Sequence, residues 1–346
     1  MSKISIDTHA ALQVEDYDSL INLETAIDRR AVITGAAAVA AMGASPAPAE
    51  AAIKKIEGAS LTGPYLDLTT PEGNMIALAR MEGDITMKEP SYGWYDGLVM
   101  GVMPGGPVKN ICGFKGMSCK RLIPYEEGNG FRKLLREVGY YYDLGTGKIL
   151  EKLNNPYTGE TVKVVHIAND PFNHIIRDVV APGPSYGGLN TAKRKPKPLL
   201  LDWRVKDDYL LLQRHIHLYY KNALDPTVWV RESAGHMNRA SEFYFTVQSL
   251  DDMQNEELSH IRGTGTWARI TPWLPWMLMG QAPGHCAYQC FMGAPKDLDD
   301  IPKDIVEYTA QHYRKFLEPP SVWEEPSLSS LEWYAREQRP VPPDGT

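Results

Sequence analysis

Between residues 76 and 166 the chain alternates β-rich segments with tight-turn signals, and this punctuation restricts the fold more than any other feature of the sequence. The segments are Ile76 to Ile85, Gly93 to Pro104, Val108 to Leu122, Phe131 to Leu144, Ile149 to Asn154 and Thr161 to His166. Between them stand Pro104-Gly105-Gly106-Pro107, Glu127-Gly128-Asn129-Gly130, Leu144-Gly145-Thr146-Gly147 and Asn155-Pro156-Tyr157-Thr158-Gly159. Proline presets one turn dihedral and glycine accepts the positive φ that a tight reversal needs, so neighbouring segments are expected to pair antiparallel. Further strands are expected at Leu199 to Val205, Tyr209 to Tyr220, Glu242 to Leu250, Thr264 to Thr271 and Gly284 to Phe291. Strands do not alternate with helices, which disfavours a parallel dinucleotide-binding sheet. Asp304 to Leu317 has helical periodicity, with Ile305, Val306, Tyr308, Thr309, His312, Tyr313 and Phe316 able to share a face. The expected fold is mainly β: a large antiparallel meander over residues 53–346, with a C-terminal helix and a proline-rich tail. A meander of this length has to protect its edges, so a closed or nearly closed barrel of calycin or lipocalin type is expected.

Residues 1–52 stand apart. Arg29 and Arg30 precede a weakly apolar run of small residues to Ala44, then Ala47-Pro48-Ala49 and Ala49-Glu50-Ala51 as cleavage candidates. The order resembles a twin-arginine export signal and implies a periplasmic protein. The alternative is a disordered tail with an Ala/Pro-rich linker on a cytoplasmic protein. No segment reaches the roughly 20 apolar residues of a membrane-spanning helix, so no membrane partner is expected. The net charge of −7 argues against nucleic acid, because sequence-independent affinity needs a basic face. The one compact basic cluster, Lys193 to Lys197, reads as a solvated loop.

Trp267 to His285 places three tryptophans and three prolines in one stretch. Each proline forfeits a backbone donor, so the stretch reads as a shaped aromatic wall for a flat apolar ligand. Its candidate ligand contacts are Trp267, Arg269, Trp273, Trp276, Gln281 and His285, joined by an inward phenol from Tyr140 to Tyr142, with Tyr141 the choice. His166 to His174 gathers two histidines, Asp170 and two amides around Pro171. Histidine titrates near neutrality and a carboxylate can set its tautomer, so His166, Asp170 and His174 are candidates for proton transfer. A structural Asx-type turn with incidental histidines is the competing reading. Arg231, beside Glu232 in a glycine-containing turn, can clamp a carboxylate or phenolate, or form an exposed ion pair. On Leu210 to Tyr220, His215 and His217 share one face, which is a metal-ligand arrangement if a third ligand joins and otherwise a plain polar face. Four cysteines without a Cys-x-x-Cys pair read as free or partly buried thiols. The serine-nucleophile elbow, the phosphate loop, the dinucleotide fingerprint and His-Glu-x-x-His are all missing from the sequence.

Asn155 to Glu160, His166 to Pro171, Arg231-Glu232-Ser233, Pro272 to Gln281 and Pro283-Gly284-His285 together resemble the family grouped as domain of unknown function 1838, over about residues 65–335. Members often begin with an export signal, and the resemblance is associated with bacteria that catabolise lignin-derived aromatics through cofactor-free lyases. It implies a carbon–carbon lyase that needs no cofactor and acts on a small aromatic substrate, releasing formaldehyde from a phenylcoumaran-type alcohol. In such a reaction His166 or His174 would serve as base, Arg231, Arg269 or a tyrosine would steady the phenoxide, and the tryptophans would stack on the rings. A noncatalytic binder of an apolar aromatic ligand and a metal enzyme built on His215 and His217 are the alternatives. A homo-oligomer is left open.

Overall fold

Hairpin turns build most of the architecture in this computed structural model, which describes residues 61–343 except 192 and 194. Three long strands, β1 (Ser91–Val102), β2 (Lys109–Pro124) and β3 (Phe131–Tyr142), form an antiparallel meander. The first reversal uses Gly105 at φ 72° and the second Gly130 at φ 143°, both in the positive range that favours glycine. A hairpin of β4 (Lys152–Asn154) and β5 (Thr161–Lys163) stands apart as its own two-stranded sheet. The short β6 (Ile167–Asn169) and β7 (His174–Ile176) both pair with β3. The remaining strands are β8 (Trp203–Lys206), β9 (Tyr209–Lys221), β10 (Met237–Ser249), β11 (Gly263–Thr271) and β12 (His285–Ala294). They pair in sequence order, and β12 returns to lie antiparallel against β1, joining both halves into one ten-stranded sheet.

The order β6-β3-β2-β1-β12-β11-β10-β9-β8 ends at β6 and β7 on one side and at β8 on the other. Among the described residues no strand pairing joins these ends, so no closed barrel is found. A helix occupies the seam instead. Ile76 to Ile85, expected as a strand, lies mostly within α1 (Pro71–Glu82). Thr70 caps its first turn by accepting from the Gly73 amide, and Pro71 sits where a helix lacks amide partners in any case. These two start signals precede a run whose Ala, Leu, Met, Arg and Glu residues themselves favour helix.

One side of α1, with Met75 and Ala79, packs on Leu122, Phe131 and Ile176 at the β3 end. The other, with Ala77 and Met81, packs on Trp203, Leu210 and Leu212 at the β8 end. Asn74 donates to the Leu68 and Thr70 carbonyls and accepts from the Leu201 amide and from Trp203 Nε1 at 2.7 Å. Arg80, fully buried, donates to the carbonyls of Asp252, Met253, Asn255 and Leu258, and so holds α2 (Leu250–Gln254) and the loop after it. Glu82 receives Lys133 at 3.0 Å and Lys120 at 3.4 Å from one end of the sheet and Arg214 at 3.5 Å from the other. Burial alone would raise its pKa, but the three cations hold it well below the usual carboxylate range.

The outer face of β2 and β3 is covered by α3 (Lys303–His312), whose Ile305, together with Phe316 of the following turn, meets Met117, Val138 and Tyr140. The expected Asp304 to Leu317 helix therefore exists, but it breaks at Tyr313 into a 3-10 turn over Arg314–Leu317. A last helix, α4 (Ser330–Glu337), starts with a capping box between Ser329 and Glu332. No helix among the described residues is long and apolar enough to cross a membrane. All four cysteines are free and buried, and burial pushes Cys119, Cys286 and Cys290 up to about 12. The twin-arginine-like segment lies outside the described residues.

Candidate functional site

One face of the sheet carries an aromatic pocket. Period-two alternation sends Trp267, Arg269 and Thr271 of β11, Tyr288 of β12, Tyr141 of β3 and Asn238 of β10 into it. Trp273 and Trp276 close it from the loop after β11, and Leu331, Trp333 and Tyr334 of α4 close it from below. The space between the lining atoms is about 820 Å³, part of it open to solvent.

The loop that carries the two tryptophans is held from several directions. Trp273 Nε1 donates to the Ala282 carbonyl at 3.1 Å, and the Gly280 amide donates to the Arg231 carbonyl at 2.8 Å. Asn155 donates to the Met277 carbonyl at 2.8 Å, and Glu160, from the same turn, forms an ion pair with Arg231. At Gly284, with φ 108°, a Cβ would lie 2.5 Å from the Val102 carbonyl oxygen and 2.6 Å from the Trp273 ring, so the wall can approach β1 only with glycine there. Several of the motif segments singled out in the sequence therefore meet around this loop.

Polar groups concentrate at the inner end of the pocket. The hydroxyls of Tyr141 and Tyr288 lie 2.9 Å apart, and one donates to the other. Burial raises both phenols well above their ordinary range, so both keep their protons at neutral pH. Arg269 reaches Glu242 at 3.3 Å, and Tyr244 donates to the same carboxylate at 2.7 Å. Burial opposes the Arg269 charge, but Glu242 and the surrounding phenols outweigh it and raise the guanidinium pKa. Arg269 Nε and Trp267 Nε1 are among several buried donors of the lining that find no acceptor among the described residues. One carboxylate lines the pocket. Glu232 is 2% exposed, its Oε1 accepts from the Val341 amide at 2.6 Å, and its Oε2 is buried with no partner among the described residues.

Of the residues singled out in the sequence, Tyr141, His166, Trp267, Arg269, Trp273 and Trp276 all line this pocket. His166 Nδ1 accepts from the Tyr141 amide at 3.3 Å, which places the proton of the neutral ring on Nε2. Its pKa falls to about 4 because burial disfavours the charged ring, with His312 adding to the effect. Asp170 does not orient either histidine. Its carboxylate is held by Arg136 at 2.9 Å and Lys315 at 2.6 Å, tying the turn before Pro171 to β3 and to the 3-10 turn after α3. His174 pairs in register with Lys133 of β3, beside the Glu82 cluster, and burial with the Lys133 charge brings it down to about 3. Arg231 is spent on Glu160 and does not line the pocket. Gln281 and His285 line a shallower groove on the far side of Trp273. His215 and His217 are exposed on the other face of β9, where His215 meets the Phe243 ring and His217 Nδ1 lies 2.9 Å from Ser241 Oγ. Among the described residues no group of three or more potential ligands is gathered for a metal ion.

Sequence reasoning missed Glu232, Glu242, Tyr244, Tyr288 and the α4 side chains. A signal for the first existed in the pair Arg231-Glu232, where neighbours on an irregular segment can face opposite ways. A second lay in β10, where one parity carries Asn238, Glu242, Tyr244, Thr246 and Gln248, too polar for an inert core face. Nothing in the sequence brings α4 to the pocket, because the contact spans the whole domain.

A family described as "Protein of unknown function (DUF1838)" matches residues 88–338. No curated protein matches the chain.

Proposed function

Since the chain belongs to the DUF1838 family, whose description names no reaction, we propose from the pocket itself that the protein is a carbon–carbon lyase for a lignin-derived aromatic dimer. The observation that carries this reading is a tryptophan-walled pocket whose inner end presents Arg269 Nε–H and Trp267 Nε1–H without acceptors among the described residues, next to the Tyr141–Tyr288 hydroxyl pair. Aromatic walls supply contact area, and buried donors suit an oxygen that gains negative charge as the reaction proceeds.

For a phenylcoumaran-type primary alcohol the electrons balance without an external oxidant or reductant. A base takes the hydroxyl proton, and the oxygen forms the carbonyl of formaldehyde as the adjacent carbon–carbon bond breaks. That bond's electrons form an alkene and expel the ring oxygen as phenoxide, which then takes up a proton. Arg269 and the tyrosine pair face the departing oxygen, and Trp267, Trp273 and Trp276 hold the rings. His166, with its proton on Nε2, serves as a donor and not as the base. In this reading the curved sheet works as a barrel-like container with α1 filling its gap, and the export signal directs the enzyme to the periplasm.

Incubation of the protein with phenylcoumaran-type diols should release formaldehyde and a phenolic alkene in equal amounts. Tight binding across such a panel with no aldehyde would replace the lyase with a noncatalytic aromatic binder.

A further inference from the structure

Glu232 is the one carboxylate among the residues that line the pocket. Its position follows from the irregular stretch between β9 and β10. Arg231 turns outward to Glu160, while the Ser233 hydroxyl, bonded to the Leu224 carbonyl, anchors the chain on the other side. Between these two ties, Glu232 is directed inward. One oxygen is held by the Val341 amide, and the other is buried with no hydrogen-bond donor among the described residues. A carboxylate oxygen left in this condition is costly, since its desolvation is not repaid by a bond. The neighbouring guanidinium does not relieve that cost, because it is committed elsewhere. Such an oxygen is suited to a ligand that brings its own hydroxyl proton.

The other candidates for this duty are engaged. His166 Nδ1 already accepts from Tyr141, Asp170 is held by Arg136 and Lys315, and His174 sits with the Glu82 cluster. Glu242 is shared between Arg269 and Tyr244. The pocket therefore has two chemical sides: donors at Arg269, Trp267 and the tyrosine pair, and an acceptor at Glu232.

We propose that Glu232 is the catalytic base, its free Oε2 accepting the proton of a primary hydroxyl on the aromatic ligand. The proposal rests on the lyase reading for its reaction, but the contact between Glu232 and a ligand hydroxyl stands independently of turnover. The Val341 amide keeps the carboxylate in place, and Glu232 returns the proton to the phenoxide side through the pocket once the carbon–carbon bond has broken.

The test uses the full chain, a phenylcoumaran-type diol as substrate and vanillyl alcohol as a binding probe. Glu232→Gln retains an oxygen for the Val341 amide, so its circular dichroism should match the parent's, but it loses the oxygen that accepts the ligand hydroxyl, and calorimetry should give a vanillyl alcohol Kd about three- to tenfold weaker. Its formaldehyde release should fall at least about 100-fold, the usual scale for a lost general base. Infrared difference spectra of the parent should contain a carboxylate band that Glu232→Gln lacks and that shifts when vanillyl alcohol binds. Aldehyde release by Glu232→Gln within about threefold of the parent, or a Glu232 band indifferent to the probe, would overturn the proposal. A parent that releases no aldehyde but shows the shifted band would end the lyase reading and leave the Glu232 contact standing.

Discussion

His166, His174 and His260 are held as neutral rings, and this gives the protein a specific response to acid. Burial, assisted by neighbouring cations at His174 and His260, takes them to about 4, 3 and 4. An unfolded histidine takes up a proton near pH 6.5, so between that value and the folded pKa the unfolded chain binds more protons than the folded one. Stability therefore rises with pH across this window and is lost on acidification, by up to about 1.4 kcal/mol per pH unit for each histidine. Burial raises the pKa of Glu137, and it raises that of Glu332 to about 7, so both act in the opposite sense, and the informative quantity is a difference between variants. Between pH 6.5 and 4.5, His174→Gln should lose less melting temperature than the parent. Parallel curves would mean that His174 does not stay neutral in the fold. At this scale the sequence revealed residue types but not facing directions. Tyr141, Trp267 and Arg269 were legible because strand alternation is simple. Glu232 was not, because the chain between β9 and β10 has no period from which to read which side chain turns in.

At the scale of elements, α1 is the fastener of the sheet. Glu82 takes cations from β2, β3 and β9 at once, so a single carboxylate ties together strands from opposite ends of the ladder. Its removal leaves Lys120 and Lys133 poorly solvated and without their counter-ion. Glu82→Ala should cost on the order of 3 kcal/mol, read as a lowered denaturation midpoint, because breaking a buried ion cluster leaves uncompensated charge. A cost below about 1 kcal/mol would reduce the cluster to an ordinary surface pair. The long strands were readable from their turns, since glycine and proline mark reversals for reasons internal to the backbone. Helix α1 was misread although Ala77 to Glu82 are strong helix formers, and the decisive signals were those propensities together with Thr70 and Pro71 just before the run. The extra strands β6 and β7 were unreadable for a further reason. Each is three residues long and exists only because β3 offers an edge.

For the whole molecule, the sheet is continuous at its centre and discontinuous at its ends. β1, β2, β11 and β12 are each paired on both sides along most of their length, whereas β6, β7 and β8 are short and paired on one side only. Local opening should start at those ends. Hydrogen exchange followed by mass spectrometry should find peptides from β6–β8 exchanging well before peptides from β1 and β12, and uniform protection would require that the ends are joined. The pocket spans these regions, since β3 and β10–β12 provide its inner end and the last helix its floor. Its walls also hold Trp267, Trp273, Trp276 and Trp333, four of the eight tryptophans in the chain. Their placement makes the protein its own optical gauge: a flat guest among these indoles must alter the intrinsic emission, so occupancy can be followed in dilute solution without a label.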